Sequence, residues 1–224
     1  MAHDELLMMQ SAELQSKEQK EKLNWDMSRG IWVDADFTGL KNLHDKFRSS
    51  NMRRCLFIGS ELSELLLKGN HIDSCDLSGS DFTNSHIQGS HLVNNIFKDC
   101  LMKEAEFSGS HISGCDFSGA DFTGVVVKSS DFSKNTIVNA VWHRTSFITS
   151  QITEIIFDGR IDDCYFENCS FKKVTFRNAT LINTFFKNKS LKGIRFTDCQ
   201  ADRMTYEFLK NGKADLTGIT LITA

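Results

Sequence analysis

Cys115-Asp116-Phe117-Ser118-Gly119-Ala120-Asp121-Phe122-Thr123-Gly124 is the stretch that decides the fold: a small residue, an aspartate, a phenylalanine, a hydroxyl residue and a glycine follow one another twice in the same order. Working outward from it in steps of five, the phenylalanine position is apolar without exception from Met52 to Phe157, through Phe57, Leu77, Phe82, Phe97, Phe107, Phe117, Phe122, Phe132 and Phe147 among others. Against a hydrophobic content of 40%, twenty-two consecutive hits by chance would have a probability on the order of one in a billion. A period of five matches neither the 3.6 of a helix nor the 2.0 of a strand. It fits a chain that turns a corner every five residues and points each central residue at a common axis, so that successive coils bury one another's apolar side chains.

The neighbouring positions agree. Two residues before each centre, small side chains dominate (Ser60, Cys75, Ser80, Ser85, Ser90, Cys100, Ala105, Ser110), as expected where little room is left beside a phenylalanine. Two residues after a centre, glycine recurs from Gly39 to Gly159 and again at Gly193 and Gly218, where a corner needs backbone freedom. After Phe157 the next clear centre is Phe166, nine positions on, and the series continues through Phe171, Phe176, Leu181, Phe186, Leu191 and Phe196. One residue is therefore missing around 158–165, read as a tolerated bulge or tightened corner, or alternatively as a kink that re-aims the last coils.

Units such as Cys-Asp-Leu-Ser-Gly (75–79), Ser-Asp-Phe-Thr-Asn (80–84) and Ala-Asp-Phe-Thr-Gly (120–124) resemble the consensus of the pentapeptide-repeat family over roughly residues 52–198. The resemblance implies an all-β solenoid, a right-handed quadrilateral β-helix with four pentapeptides per coil. At about 4.8 Å per coil, seven or so coils would make a rod on the order of 35 Å long.

On this reading residues 52–198 form the β-helix, 1–30 an N-terminal helical segment, 31–51 irregular first coils or a loop, and 199–224 a cap made of a short helix and final repeat units. The stretch 4–29 is rich in helix formers, with Leu6, Met9 and Trp25 among its apolar residues. It is expected to cap the rod, with docking or dimerisation as alternatives. Residues 201–212 read as a helix ended by Gly212, with Met204, Phe208 and Leu209 on one face. In relatives that act on topoisomerases this end dimerises, so a homodimer through a terminal segment is an alternative here.

Chemistry is sparse. No phosphate-cradling glycine loop, His-Glu-x-x-His or nucleophile–base pattern is present, and a non-catalytic protein is expected, without cofactor. The cysteines Cys55, Cys75, Cys100, Cys115, Cys164, Cys169 and Cys199 fall two residues before a centre, and an odd number with no Cys-x-x-Cys pair speaks against a disulfide framework and a zinc site. Reduced thiols, no apolar run of about eighteen residues and no signal-peptide pattern point to the cytoplasm, with secretion as an effector as an alternative. His71, His91 and His111 are spaced by twenty and should stack as an outward ladder, a weak candidate for a divalent metal.

Charge is uneven: residues 60–160 carry 13 Asp and Glu against 7 Lys and Arg, net −6, and residues 161–224 carry 7 against 10, net +3. Asp76, Asp81, Asp116, Asp121 and Asp131 each precede a centre and should face outward as candidate partner contacts. Removing Asp116, Asp121 and Asp131 together is expected to leave melting unchanged. The first expectation for function is a binding or scaffold rod that presents its faces to a protein partner. The second, implied by the resemblance, is mimicry of DNA toward a type II topoisomerase, with no direct nucleic-acid binding. The third is a bacterial secreted effector.

Overall fold

Four pentapeptides close one turn because residues twenty apart pair as parallel strands. In the computed structural model, which describes residues 26–41, 43, 45–188 and 190–222, the chain is a parallel β-solenoid of about nine turns. The first side is an eight-stranded sheet running from Ile31–Val33 through Asn51–Arg53, His71–Asp73, His91–Val93, His111–Ser113, Asp131–Ser133 and Gln151–Thr153 to Ser170–Lys172. The second side is built of single bridges, Asp36 to Leu56 to Asp76 to Ile96 to Asp116 to Thr136, and the third of Glu61 to Asp81 to Leu101 to Asp121 to Val141. A seven-stranded sheet from Leu66–Lys68 to Phe185–Lys187 closes the fourth.

The centre residues fill the interior. Phe57, Leu77, Phe82, Phe97, Phe107, Phe117, Phe122, Phe132, Phe147, Phe157, Phe166, Phe176, Phe186 and Phe196 are all buried, and rings on successive coils stack: Phe97 on Phe117 at 4.7 Å between centroids with planes 4° apart, Phe166 on Phe186 at 4.9 Å and 9°. The offset of twenty thus converts a sequence period into columns of like side chains in van der Waals contact.

The position two before each centre does more than save space. Ser90, Ser110 and Ser130 donate their backbone N–H to the hydroxyl of Ser110, Ser130 and Ser150 on the following coil. Asparagine, larger than the expected small residue, serves the same purpose: Asn135 Oδ1 accepts from Cys115 N at 2.9 Å while Nδ2 donates to Ile112 O at 3.0 Å. These ladders satisfy amides that a corner turns away from the strand pairing and that would be costly to bury unpaired. All seven cysteines are free and buried in the same columns.

Two residues after a centre, the backbone is left-handed almost everywhere, in Gly79, Gly119 and Gly159 but also in Asn84, Asp99, Glu104 and Lys134. Gly193 departs from the expectation, because its φ is not in that region. A Cβ there would lie 1.9 Å from Phe171 O, so glycine is required by the close approach of the preceding coil.

The missing residue falls between Phe157 and Ile161. Phe157 pairs with Phe176 and Ile161 with Leu181, with a register shift between Phe157 and Gly159, so the corner holds one residue fewer than the corner beneath it. Phe176 stacks on Phe157 at 4.8 Å and 12°, so the ring column passes through this bulge unbroken.

The coil begins earlier than Met52. Ile31–Val33 pairs in register with Asn51–Arg53, and Phe37 stacks on Phe57 at 5.0 Å. Of the two readings of residues 31–51, first coils or a loop, the described residues fit a first coil, with Trp32, Phe37 and Phe47 supplying centres on three of its sides. At the other end Cys199–Ala201 and Ile219–Leu221 continue the third side, and helix α1 (Arg203–Asn211) lies against the last strand of the fourth. Asp202 Oδ1 caps it by accepting from Thr205 N at 2.8 Å. Of the expected N-terminal helical segment, residues 1–25, with Leu6, Met9 and Trp25, lie outside the described residues, and 26–30 form a turn leading into the first strand. No described helix is long and apolar enough to cross a membrane.

Candidate functional site

Each outward aspartate is held by its own pentapeptide. On the second side Asp76 Oδ1 accepts from Ser78 N at 3.0 Å and Ser78 Oγ at 2.6 Å, and Asp116 Oδ1 accepts from Ser118 N and Oγ at the same distances. On the third side Asp81 and Asp121 accept from the N–H of Thr83 and Thr123 at 2.8 and 2.9 Å. This is the side-chain turn that aspartate forms two residues ahead of itself, and it explains why a Ser or Thr follows at that spacing.

Lysines of the preceding coil neutralise two of the four. Lys98 Nζ is 3.2 Å from Asp116 and Lys103 Nζ 3.4 Å from Asp121. Partial burial pushes both carboxyls up, but the hydrogen bonds from Ser118 or Thr123 and the adjacent lysine outweigh it and hold them below the ordinary carboxylate range. Asp131 stands apart on the first side, where His111 Nδ1 lies 2.8 Å from its carboxylate.

The five aspartates therefore occupy three sides and form no continuous acidic column. Ile96 separates Asp76 from Asp116, and Leu101 separates Asp81 from Asp121. The histidine ladder is present, with ring centroids 6.1 Å apart for His71 and His91 and 5.9 Å for His91 and His111. In-register strands hold these rings side by side, and no group of three or more metal-ligating side chains comes together among the described residues.

Sequence reading missed a second feature. Leu56, Ile58, Ile96, Val138 and Ile156 lie on the second side and Leu101 and Val141 on the adjoining third, each between 37% and 48% exposed. They flank centres where the repeat elsewhere places Asp, Ser or Thr, and that substitution pattern was the available signal. Val138 and Ile156 border a groove of about 390 Å³ that Asp158 and Arg177 complete. Asp158 Oδ1 is buried there without a hydrogen-bond partner. The two adjoining sides thus present exposed apolar rungs alternating with carboxylates, of which Asp116 and Asp121 are paired with lysines.

Comparison with known proteins agrees with the repeat. Residues 50–89, 75–109 and 100–134 match the family model for pentapeptide repeats (8 copies), and residues 134–206 match that of the SV2A/B/C luminal domain. Over residues 50–134 the chain belongs to the pentapeptide-repeat family. Among solved structures it is similar to QnrB1, a plasmid-mediated fluoroquinolone resistance protein, at 18% identity over 87% of this chain and 93% of that one, with a TM-score of 0.32. It is also similar to HetL of Nostoc sp. strain PCC 7120, a pentapeptide repeat protein involved in heterocyst differentiation regulation, at 12% identity over 76% and 86% with a TM-score of 0.32. A pentapeptide repeat protein of the Arabidopsis thaliana thylakoid lumen gives 21% identity over 72% and 83% with a TM-score of 0.15. At these scores the fold rests on the chain's own strand pairing. No curated protein matches.

Proposed function

We propose that this chain is a non-catalytic binding rod that docks a protein partner on its second side and the adjoining edge of its third. The observation that supports this reading is the row Leu56, Ile58, Ile96, Val138 and Ile156, large apolar side chains left open to water on one side of a rigid scaffold. Substituting lysine at Ile96 and Val138 together would test it. Both are surface positions, so the melting temperature should hold while the protein loses the partner that the unaltered chain captures from its native cell extract. Full retention of that partner would overturn the assignment of this side.

The net charge of −6 over residues 60–160 favours a second reading, mimicry of DNA toward a type II topoisomerase. The alternation of Asp with Ile or Leu and the ion pairs of Asp116 and Asp121 weaken the negative field this would require. Inhibition or protection of purified DNA gyrase by the chain, abolished by Asp76→Asn and Asp81→Asn, would move it to first place.

A further inference from the structure

We infer that the protein partner on the second side is a second copy of this chain, lying alongside in the opposite direction; this rests on the binding-rod reading and gives that rod its occupant. The first argument is one of spacing. Rungs on this side repeat about every 4.8 Å, and another β-solenoid repeats at the same interval, so the rungs of two copies can meet in step.

The second argument is complementarity. A two-fold axis crossing the side between the Asp116 and Thr136 rungs, parallel to the strands, pairs each rung with the one equally far beyond the axis on the other copy. Ile96 then meets Ile156, both outward and about two-fifths exposed. Lys98, whose Nζ lies 3.2 Å from Asp116 of its own chain, comes opposite Asp158, which lines the groove beside Ile156. Asp76 comes within reach of Arg177, two residues along the strand from the opposing Thr175, and Asp116 faces the Thr136 hydroxyl. Each contact occurs twice, as an isologous interface demands. A parallel arrangement would instead set each rung against itself and the acidic rungs of one copy against those of the other, which like-charge repulsion disfavours.

The experiment uses the Lys98–Asp158 pair. Within one chain these residues lie three rungs apart, about 14 Å, so they cannot pair intramolecularly. Light scattering on the eluting full-length protein should give about twice the 25.4 kDa chain mass. Lys98→Glu and Asp158→Lys should each weaken self-association at least about tenfold, and the double variant carrying both should recover it. Ile96→Lys should abolish the dimer with an unchanged melting temperature. A chain that stays monomeric at every concentration, or a dimer that the single charge reversals leave intact, overturns the inference. If the monomer nonetheless captures another protein and Ile96→Lys abolishes that capture, the binding-rod reading stands while the second-copy occupant falls.

Discussion

Asn95 reaches back one coil to Cys75: its Oδ1 accepts from Cys75 N at 2.9 Å, and its Nδ2 donates to Ile72 O at 2.9 Å. Asn95→Leu removes both bonds and strands two buried main-chain groups. Equilibrium unfolding in guanidinium should register a loss of about 2–5 kcal/mol. Asn95→Ser should cost clearly less, since serine fills this role in the neighbouring column at Ser110 and Ser130. Equal losses from both substitutions would mean that the amide is a space-filler.

The turns held by Asp116 and Asp121 predict a contribution to stability, where the sequence alone leads one to expect their joint removal to be silent. Asp116→Ala and Asp121→Ala each delete the turn that Ser118 or Thr123 closes, and each should lower stability by about 0.5–1.5 kcal/mol. Asn at either position keeps an acceptor oxygen and should recover most of the loss. Thermal melts of the four single variants decide the point, and four identical curves would restore the original expectation.

Two glycines should respond differently to a methyl group. At Gly159 the φ of +69° is unfavourable for alanine but no atom lies within 4 Å of the added Cβ, which predicts a modest loss of about 1 kcal/mol. At Gly193 the Cβ would collide with the Phe171 carbonyl, so Gly193→Ala must displace the last coils and should cost more. Limited proteolysis should show cleavage beyond residue 190 in Gly193→Ala but not in Gly159→Ala.

Burial pushes the thiols of Cys100 and Cys115 up to about 12, and those of Cys164 and Cys169 to about 11, from a starting value of 9.0. A folded state that holds the proton more tightly than the unfolded chain is favoured fully below the unfolded value, and the advantage drains away as pH rises from about 9 toward 12. The unfolding midpoint should therefore fall across that window. Cys100→Ala should flatten the fall and change the neutral-pH midpoint little, because Ala120 and Ala140 already occupy the next rungs of its column. An unchanged slope would assign the alkaline loss to other groups.

The period of five was enough to place the buried phenylalanines, since burial depends only on which way each centre points. Other features depended on pairs of positions. The turn role of the aspartates is legible in the sequence, because Ser or Thr follows two residues after Asp76, Asp81, Asp116, Asp121 and Asp131 alike. The first coil was obscured by the polar Asn42 at a centre position, although Trp32 and Phe37 stand twenty residues before Met52 and Phe57. Apolar rungs such as Ile96 are hidden in the sequence because a hydrophobic residue beside a hydrophobic centre reads as more core. Only the coil geometry separates inward from outward at adjacent positions.

The hydroxyl ladder from Ser90 to Ser150 points one way: every amide in it waits for a side chain twenty residues further along the chain. Thr184 N is completed in the same manner by Thr205 Oγ1, which belongs to α1. Synthesis proceeds in that same direction, so a nascent rod always ends in one unfinished turn, and the helix supplies the acceptor that the next coil would have brought. A chain cut short at any coil boundary would keep an orphaned row of donors at its growing tip, primed to add whatever strand arrives next.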